Sequence, residues 1–324
     1  MKLLTPVAIM ATTITALTLG PVTTAVAQSY PDKPIKMVLP FAAGSPTDAM
    51  LRVITGPLGN RLGQTIVIDN KPGATGMIGA DYVAKSAPDG YTLLFGTNTT
   101  QVANKYFFKN MPYDGLKDFA PVAIAGGVPH ALVVNPSVPV NTVPELINYI
   151  KANPGKVSFP YANSTTRITG ATFRVMTKTK LLDVPYKAYG QAVTDLLGGQ
   201  TQMMFIDFAT GLPHIRSGKL KALAITPDRS AKLPGVPAMR EVLPGFEIGN
   251  WNGLFAPAGT PRPIIDQLNR EMAAVLAMPE VQQQIDAVGY ELSKQMTPEQ
   301  FGKYIADESV HYGKLAVAAG IKAE

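Results

Sequence analysis

Ile35–Asp48, IKMVLPFAAGSPTD, constrains the chain more than any other stretch. An apolar strand runs into a small-residue loop, and the loop opens a helix. Ser45 is placed as N-cap, Pro46 takes the first helical position and Asp48 falls three residues after the cap. This is a capping box with Asp in the usual Glu place. Such a junction aims free backbone N–H groups at one spot, and the helix dipole adds partial positive charge there, so an anion is favoured. Gly44 lets the backbone approach a ligand closely. A second junction, NKPGATG at Asn70–Gly76, follows a strand at Thr65–Asp69. Two such loops suggest a site for a small carboxylate or phosphate, although each also makes an ordinary strand-to-helix turn.

The rest of the chain alternates short apolar runs with helical stretches. Further strands are expected at Thr92–Gly96, Val122–Ala125, Ala131–Val134, Val157–Tyr161, Leu181–Val184, Met203–Ile206, Ala222–Ile225 and Gly253–Phe255, the first being Lys36–Leu39. They lack clean alternation, as strands covered on both faces do. Helices are expected at Ala49–Leu62, Met77–Ser86 and Val143–Ala152, the last opened by a Thr142/Glu145 capping box. Three Pro-opened helices follow at Pro263–Met278, Pro279–Val288 and Pro298–Ala318. Alternating units of this kind imply an α/β fold with mainly parallel sheets flanked by helices.

Residues 1–27 read as a cleaved secretory signal peptide: Lys2, an apolar stretch Leu3–Gly20, and Ala25-Val26-Ala27 before Gln28. Cleavage leaves 297 residues, a length that suits two domains. The chain carries 29 Lys+Arg against 23 Asp+Glu without basic clusters, so no nucleic-acid footprint is visible. There is no Cys, which excludes disulfides and thiolate chemistry. His130, His214 and His311 lie far apart, at no metal-ligand spacing. No G-x-S-x-G elbow, Walker A loop or dinucleotide fingerprint occurs. No catalytic residue, metal or cofactor is therefore expected, and Asp48 reads as a cap rather than a general base.

Several motifs together resemble one family. FAAGSPTD at Phe41–Asp48, NKPGATGMIGADYVAKSAPDGYTLL at Asn70–Leu94, VPYKAYGQAVTDLLGGQ at Val184–Gln200, SGKLKALAIT at Ser217–Thr226 and WNGLFAPAGTP at Trp251–Pro261 are similar to the tripartite tricarboxylate transporter receptors, also called Bug-type periplasmic solute-binding proteins. The resemblance covers essentially the whole mature chain. It implies a two-lobed clamshell, residues 30–126 plus 250–324 in one lobe and 127–249 in the other. Gly126, Gly127 and Gly249 would serve hinge motion at the crossings. It further implies a monomer in the periplasm that hands a small carboxylate to integral-membrane permease subunits. Phe41, Ala43, Gly44, Ser45, Thr47 and Asp48 match the first ligand loop, and Ala74, Thr75 and Gly76 the second.

The chain also departs from the family pattern. Ser45 and Thr75 stand where Gly is expected, Ala188-Tyr189 replaces Gly and a small residue, and the loop NSTTR, Asn163–Arg167, ends in Arg where His is common. Ser164, Thr165, Thr166, Arg167, Tyr189 and Asp207 are expected at the cleft from the second lobe. Arg167 is expected to pair with a second carboxylate, and Tyr189 to offer a ring face to an aromatic or long apolar body. Both point to a dicarboxylate, aromatic ones included. Two alternatives stand beside transport: a periplasmic hydrolase acting on an organic acid, for which no nucleophile–base pair is visible, and a sensor subunit for a receptor kinase.

Overall fold

The computed structural model describes residues 30–323, so the expected signal peptide lies outside the described residues. The strands are β1 (Ile35–Leu39), β2 (Ile66–Asn70), β3 (Thr92–Thr97), β4 (Phe119–Gly127), β5 (His130–Val134), β6 (Ser158–Tyr161), β7 (Leu182–Pro185), β8 (Met203–Asp207), β9 (Lys221–Thr226), β10 (Asn252–Pro257) and β11 (Glu291–Leu292). The helices are α1 (Pro46–Leu62), α2 (Met77–Ala84), α3 (Val143–Ala152), α4 (Ser164–Thr177), α5 (Tyr189–Leu197), α6 (Phe208–Arg216), α7 (Met239–Val242), α8 (Arg262–Leu276), α9 (Pro279–Ala287) and α10 (Pro298–Ala318).

Two lobes form around separate sheets. A six-stranded sheet has the order β11-β4-β10-β3-β1-β2, while the other lobe holds β8-β5-β9 and the pair β6-β7. Strand direction differs from the mainly parallel expectation. β1 runs parallel to β2 and β3, and β6 parallel to β7. β10 is antiparallel to both its neighbours, β11 to β4, and β5 to both β8 and β9. The cause is the route of the chain. Only Val128 and Pro129 separate β4 from β5, and β10 re-enters the first sheet from the second lobe. A strand buried on both faces reads the same in either direction, so composition does not reveal this.

At the crossings, glycines are required by close approach rather than by unusual dihedrals. A Cβ on Gly127 would lie 2.2 Å from the Asn250 carbonyl oxygen, and one on Gly126 2.5 Å from that of Glu291. The two crossing segments therefore lie side by side. α10 locks one of them: Asn98 Nδ2 donates to Tyr312 Oη at 2.8 Å and to the Gly249 carbonyl at 3.1 Å. Trp251, beside this junction, is buried with its ring centroid 5.6 Å from that of Phe301 on α10. The buried residues Phe301 and Tyr312 of α10 thus hold the crossing.

One segment expected as a loop is helical. Asn163 caps α4, and Thr166 completes a reciprocal capping box with it. Ser164–Arg167 is therefore a first helical turn, because Asn-x-x-Thr supplies two side-chain acceptors, Asn163 Oδ1 for the Thr166 N–H and Thr166 Oγ1 for the Asn163 N–H.

Candidate functional site

Two loops of the first lobe make one wall of the site. Asp48, only 2% exposed, organises the first. Its carboxylate accepts from Gly44 N–H at 2.9 Å, Arg52 Nε at 2.8 Å and Asn70 Nδ2 at 3.1 Å. Asn70 Nδ2 also donates to the Phe41 carbonyl at 3.1 Å. Burial alone would raise the Asp48 pKa, but the bonds from Arg52, Gly44 and Asn70 outweigh it and hold the group below its ordinary value. Ser45 Oγ accepts from Asp48 N–H at 3.3 Å, the expected cap.

The second loop is strained. Gly73, Ala74, Thr75 and Gly76 all have positive φ, at 128°, 45°, 56° and 85°. For a β-branched residue such as Thr75 this costs energy, and such strain concentrates at functional sites. Asn104, fully buried, holds the loop: its Nδ2 donates to the Thr75 carbonyl at 3.1 Å. The loops touch because α2 starts against Pro40, where a Cβ on Gly79 would meet the Pro40 Cα at 2.9 Å.

Between the lobes lie two spaces that share part of their lining. An outer cavity of about 480 Å³ is lined by both loops and, from the second lobe, by Asn163, Lys187, Ala188, Tyr189 and Thr210. An inner chamber of about 100 Å³ shares Phe41, Ser45, Asn163 and Tyr189 with it and adds Thr47, Thr97, His130, Asp207, Asn250 and Tyr290. The starts of α1, α2, α4, α5 and α6 all contribute lining residues. α2 and α5 have no side-chain cap, so their first N–H groups remain available to a ligand. Lys187 is the one charged side chain lining the outer cavity among the described residues.

The chamber is dominated by polar groups under desolvation. Burial pushes the His130 imidazole below its ordinary value, against the pull of Asp207 and a hydrogen bond to the Val128 backbone. Burial likewise pushes the Tyr189 and Tyr290 phenols up, with Asp207 nearby adding to both. Asp207 caps α6 through Thr210 N–H at 2.8 Å, and its own N–H donates to Tyr189 Oη at 2.9 Å.

Of the residues expected at the ligand, Phe41, Ala43, Gly44, Ser45, Thr47, Ala74, Thr75, Gly76, Tyr189 and Asp207 line one cavity or both. Five do not. Asp48 stands behind its loop. Ser164 Oγ donates to Asn104 Oδ1 at 2.7 Å, and the Thr165 and Thr99 hydroxyls meet at 2.7 Å, so these two join the lobes. Thr166 is spent on the capping box. Arg167 stacks on aromatic rings, its guanidinium carbon 4.9 Å from the Phe107 centroid and 5.4 Å from that of Tyr161. Helical phase explains the correction, since a first turn spreads its side chains around the axis whereas a loop can aim them together. Sequence reasoning missed Thr97, His130, Asn250, Tyr290 and Lys187. His130 and Asn250 carried a weak signal, since both sit at the crossings. Tyr290, before a two-residue strand, carried none.

Comparison with known proteins identifies the family of the chain. A family model described as the tripartite tricarboxylate transporter family receptor matches residues 50–321. Protein BugT of Bordetella pertussis is 38% identical over 301 residues, spanning 91% of this chain and 92% of its own. Rpa4515 of R. palustris, solved with adipate, matches with a TM-score of 0.85 at 32% identity, over 91% of this chain and 100% of that one. MatC (Rpa3494) from Rhodopseudomonas palustris, solved with bound malate, matches with a TM-score of 0.81 at 32% identity, over 89% and 100%. The chain belongs to the tripartite tricarboxylate transporter receptor family, and is a solute-binding receptor rather than an enzyme.

Proposed function

We propose that this protein is a periplasmic receptor that captures a small carboxylate by lobe closure and delivers it to the membrane permease of a tripartite transporter. The observation that carries the reading is the convergence of five helix starts on one interlobe site, with Lys187 the charged group at its outer cavity. Backbone N–H groups and dipole ends of this kind favour an anion without a dedicated arginine. The adipate and malate bound by its structural neighbours support a carboxylate ligand. Export rests on the signal-peptide features of residues 1–27.

In this reading the lobes follow residues 30–126 plus 250–324 and residues 127–249. The carboxylate sits between Ala43–Ser45, Ala74–Gly76 and the uncapped start of α5. A second carboxylate, where the ligand has one, faces Lys187 rather than Arg167. A thermal-shift screen of mono-, di- and tricarboxylates tests capture, since saturation at a hundred times Kd stabilises by about 2.7 kcal/mol. Small-angle scattering tests closure, with a smaller radius of gyration expected when bound. A screen in which no carboxylate raises the melting temperature refutes the reading.

A further inference from the structure

The first lobe also reaches the second without crossing to it. Asp286–Leu292 leaves α9 and ends in β11, which pairs with β4 at Gly126 and Gly127, beside the first crossing. On the way it meets the second lobe at three places. Lys232 Nζ donates to the Asp286 carbonyl at 2.9 Å and pairs with its carboxylate. Ser230 Oγ donates to Glu291 Oε1 at 2.7 Å. Gly289 lies on the first turn of α6, where a Cβ would come 2.6 Å from the Ala209 N and Cα atoms. Between these contacts Tyr290 turns inward: it is buried, lines the inner chamber, and its phenol faces the Thr47 side chain at the start of α1. One short segment therefore touches the chamber, the first crossing and the second lobe. Ser230, Lys232, Asp286 and Glu291 line neither cavity. The contacts differ in weight. The Asp286 side chain is 72% exposed, so its ion pair is screened and adds little. Ser230 is 5% exposed and gives its hydroxyl to a carboxylate, a stronger kind of hydrogen bond, and without that partner the buried hydroxyl is costly.

Resting on the carboxylate-receptor reading, we propose that Asp286–Leu292 is a closing strap, whose Ser230–Glu291 and Lys232–Asp286 contacts hold in the closed receptor and part when the lobes open. The crossing segments lie side by side at Gly127 and Asn250, and the strap flanks them on the side of the chamber that Tyr290 lines. Opening about the crossings draws α6 and the loop after β9 off the strap. Contacts made in one of two states shift the balance towards that state, and affinity follows by the same factor. The strap thus tunes affinity through residues that the solute does not reach.

The test is calorimetry of the full mature receptor with adipate, malate and the other carboxylates of the screen. Ser230→Ala should weaken the best of them about tenfold, and Glu291→Gln several-fold. The unliganded urea midpoint should stay at the wild-type value, because the open protein lacks the contact. The double variant should lose no more affinity than Ser230→Ala alone, since both changes remove one contact. The chain has no Cys, so Ser230→Cys with Glu291→Cys supplies a unique pair for a short bis-thiol cross-linker. Cross-linking should run about tenfold faster with saturating carboxylate than without it. The cross-linked unliganded receptor should keep the smaller radius of gyration of the bound one. Circular dichroism checks that every variant is folded. If cross-linking ignores the carboxylate, or if Ser230→Ala lowers unliganded stability as much as affinity, the segment is a static brace and the proposal is wrong. Wild-type affinity in both single variants also overturns it. In each of these cases the wild type still binds, so the receptor reading stands and only this inference falls. If no carboxylate binds the wild type, both fall together.

Discussion

Asn104 is the residue whose replacement tests the site most directly. It is fully buried, gives Nδ2 to the Thr75 carbonyl of the strained loop and takes Ser164 Oγ from α4 on Oδ1. Asn104→Ala removes both hydrogen bonds, worth about 0.5–1.5 kcal/mol each, and strands the buried Ser164 hydroxyl at about 1–3 kcal/mol more. The Thr75 carbonyl is half-buried and recovers part of its loss from water. A total near 3 kcal/mol follows, readable by urea denaturation. Asn104→Asp is sharper. It keeps the acceptor for Ser164 but turns a carboxylate oxygen towards the Thr75 carbonyl. The left-handed backbone at Ala74 and Thr75 costs on the order of 1–2 kcal/mol per residue, about what the lost clamp supplied, so the loop relaxes away from its cavity-lining shape. Affinity for the best carboxylate should fall about tenfold. Ser164→Ala breaks only the interlobe half and should cost about 1 kcal/mol of stability with a smaller loss of affinity. Wild-type affinity in folded Asn104→Asp would refute the claim that this clamp maintains the site.

Five further outcomes are expected. Thr75→Gly removes the Cβ penalty at φ +56° and should leave stability unchanged or higher by up to about 1 kcal/mol by urea melt, the backbone entropy of Gly offsetting part of the gain. Asp48→Ala should cost about 2 kcal/mol, chiefly from the Gly44 and Asn70 bonds. By contrast, Arg52→Ala should cost under about 1 kcal/mol because Arg52 is 56% exposed and its ion pair is screened. The depressed Asp48 pKa stabilises the fold above the ordinary value of 3.8, and that contribution is lost as pH falls through the lower folded value. Lys187→Met should weaken carboxylate binding several-fold and flatten its salt dependence in titrations at varied ionic strength.

The fold was legible because its strands are short apolar runs and its helices carry caps. All ten expected strands occur, shifted by a residue or a few at their ends, and Pro298–Ala318 has the expected bounds. Direction was not legible, because it depends on where the chain crosses between lobes. Neither β11 nor the π-helical turn at Thr99–Ala103 has a sequence signal. That turn reads TTQVA, mostly polar yet wholly buried, because its partners come from α4 and α10. The first-lobe loops that line the outer cavity were legible for the opposite reason. The Gly, Pro and cap residues that shape their backbone act locally, and that pattern shows in the sequence. Arg167 was misplaced because a shift of one segment from loop to helix turned its side chain onto Phe107 and Tyr161.

The chamber residues follow a different rule, and His130 shows its consequence. Register sets His130 opposite both Asp207 and Thr226, while Tyr189 and Tyr290 arrive from α5 and from the segment before β11 to line the same chamber. No local pattern announces this, because each residue alone is an unremarkable polar side chain at an element end. Burial among them desolvates the imidazole and, against the opposing pull of Asp207, holds its pKa below the ordinary 6.5. The sign is then fixed. Below pH 6.5 the unfolded chain takes up a proton that the native ring resists, so unfolding becomes easier as pH falls from 6.5 through the lower folded value. Asp207, Tyr189 and Tyr290 face the ring, and the two phenols are pushed upward and stay neutral throughout this window. Urea melts from pH 7.5 down to 5 should therefore show a loss of stability that His130→Gln abolishes, each unit of difference between folded and unfolded pKa being worth about 1.4 kcal/mol. A wild type and a His130→Gln variant with parallel stability profiles over that range would show that the ring protonates in place, and that the chamber is wetter than its geometry implies.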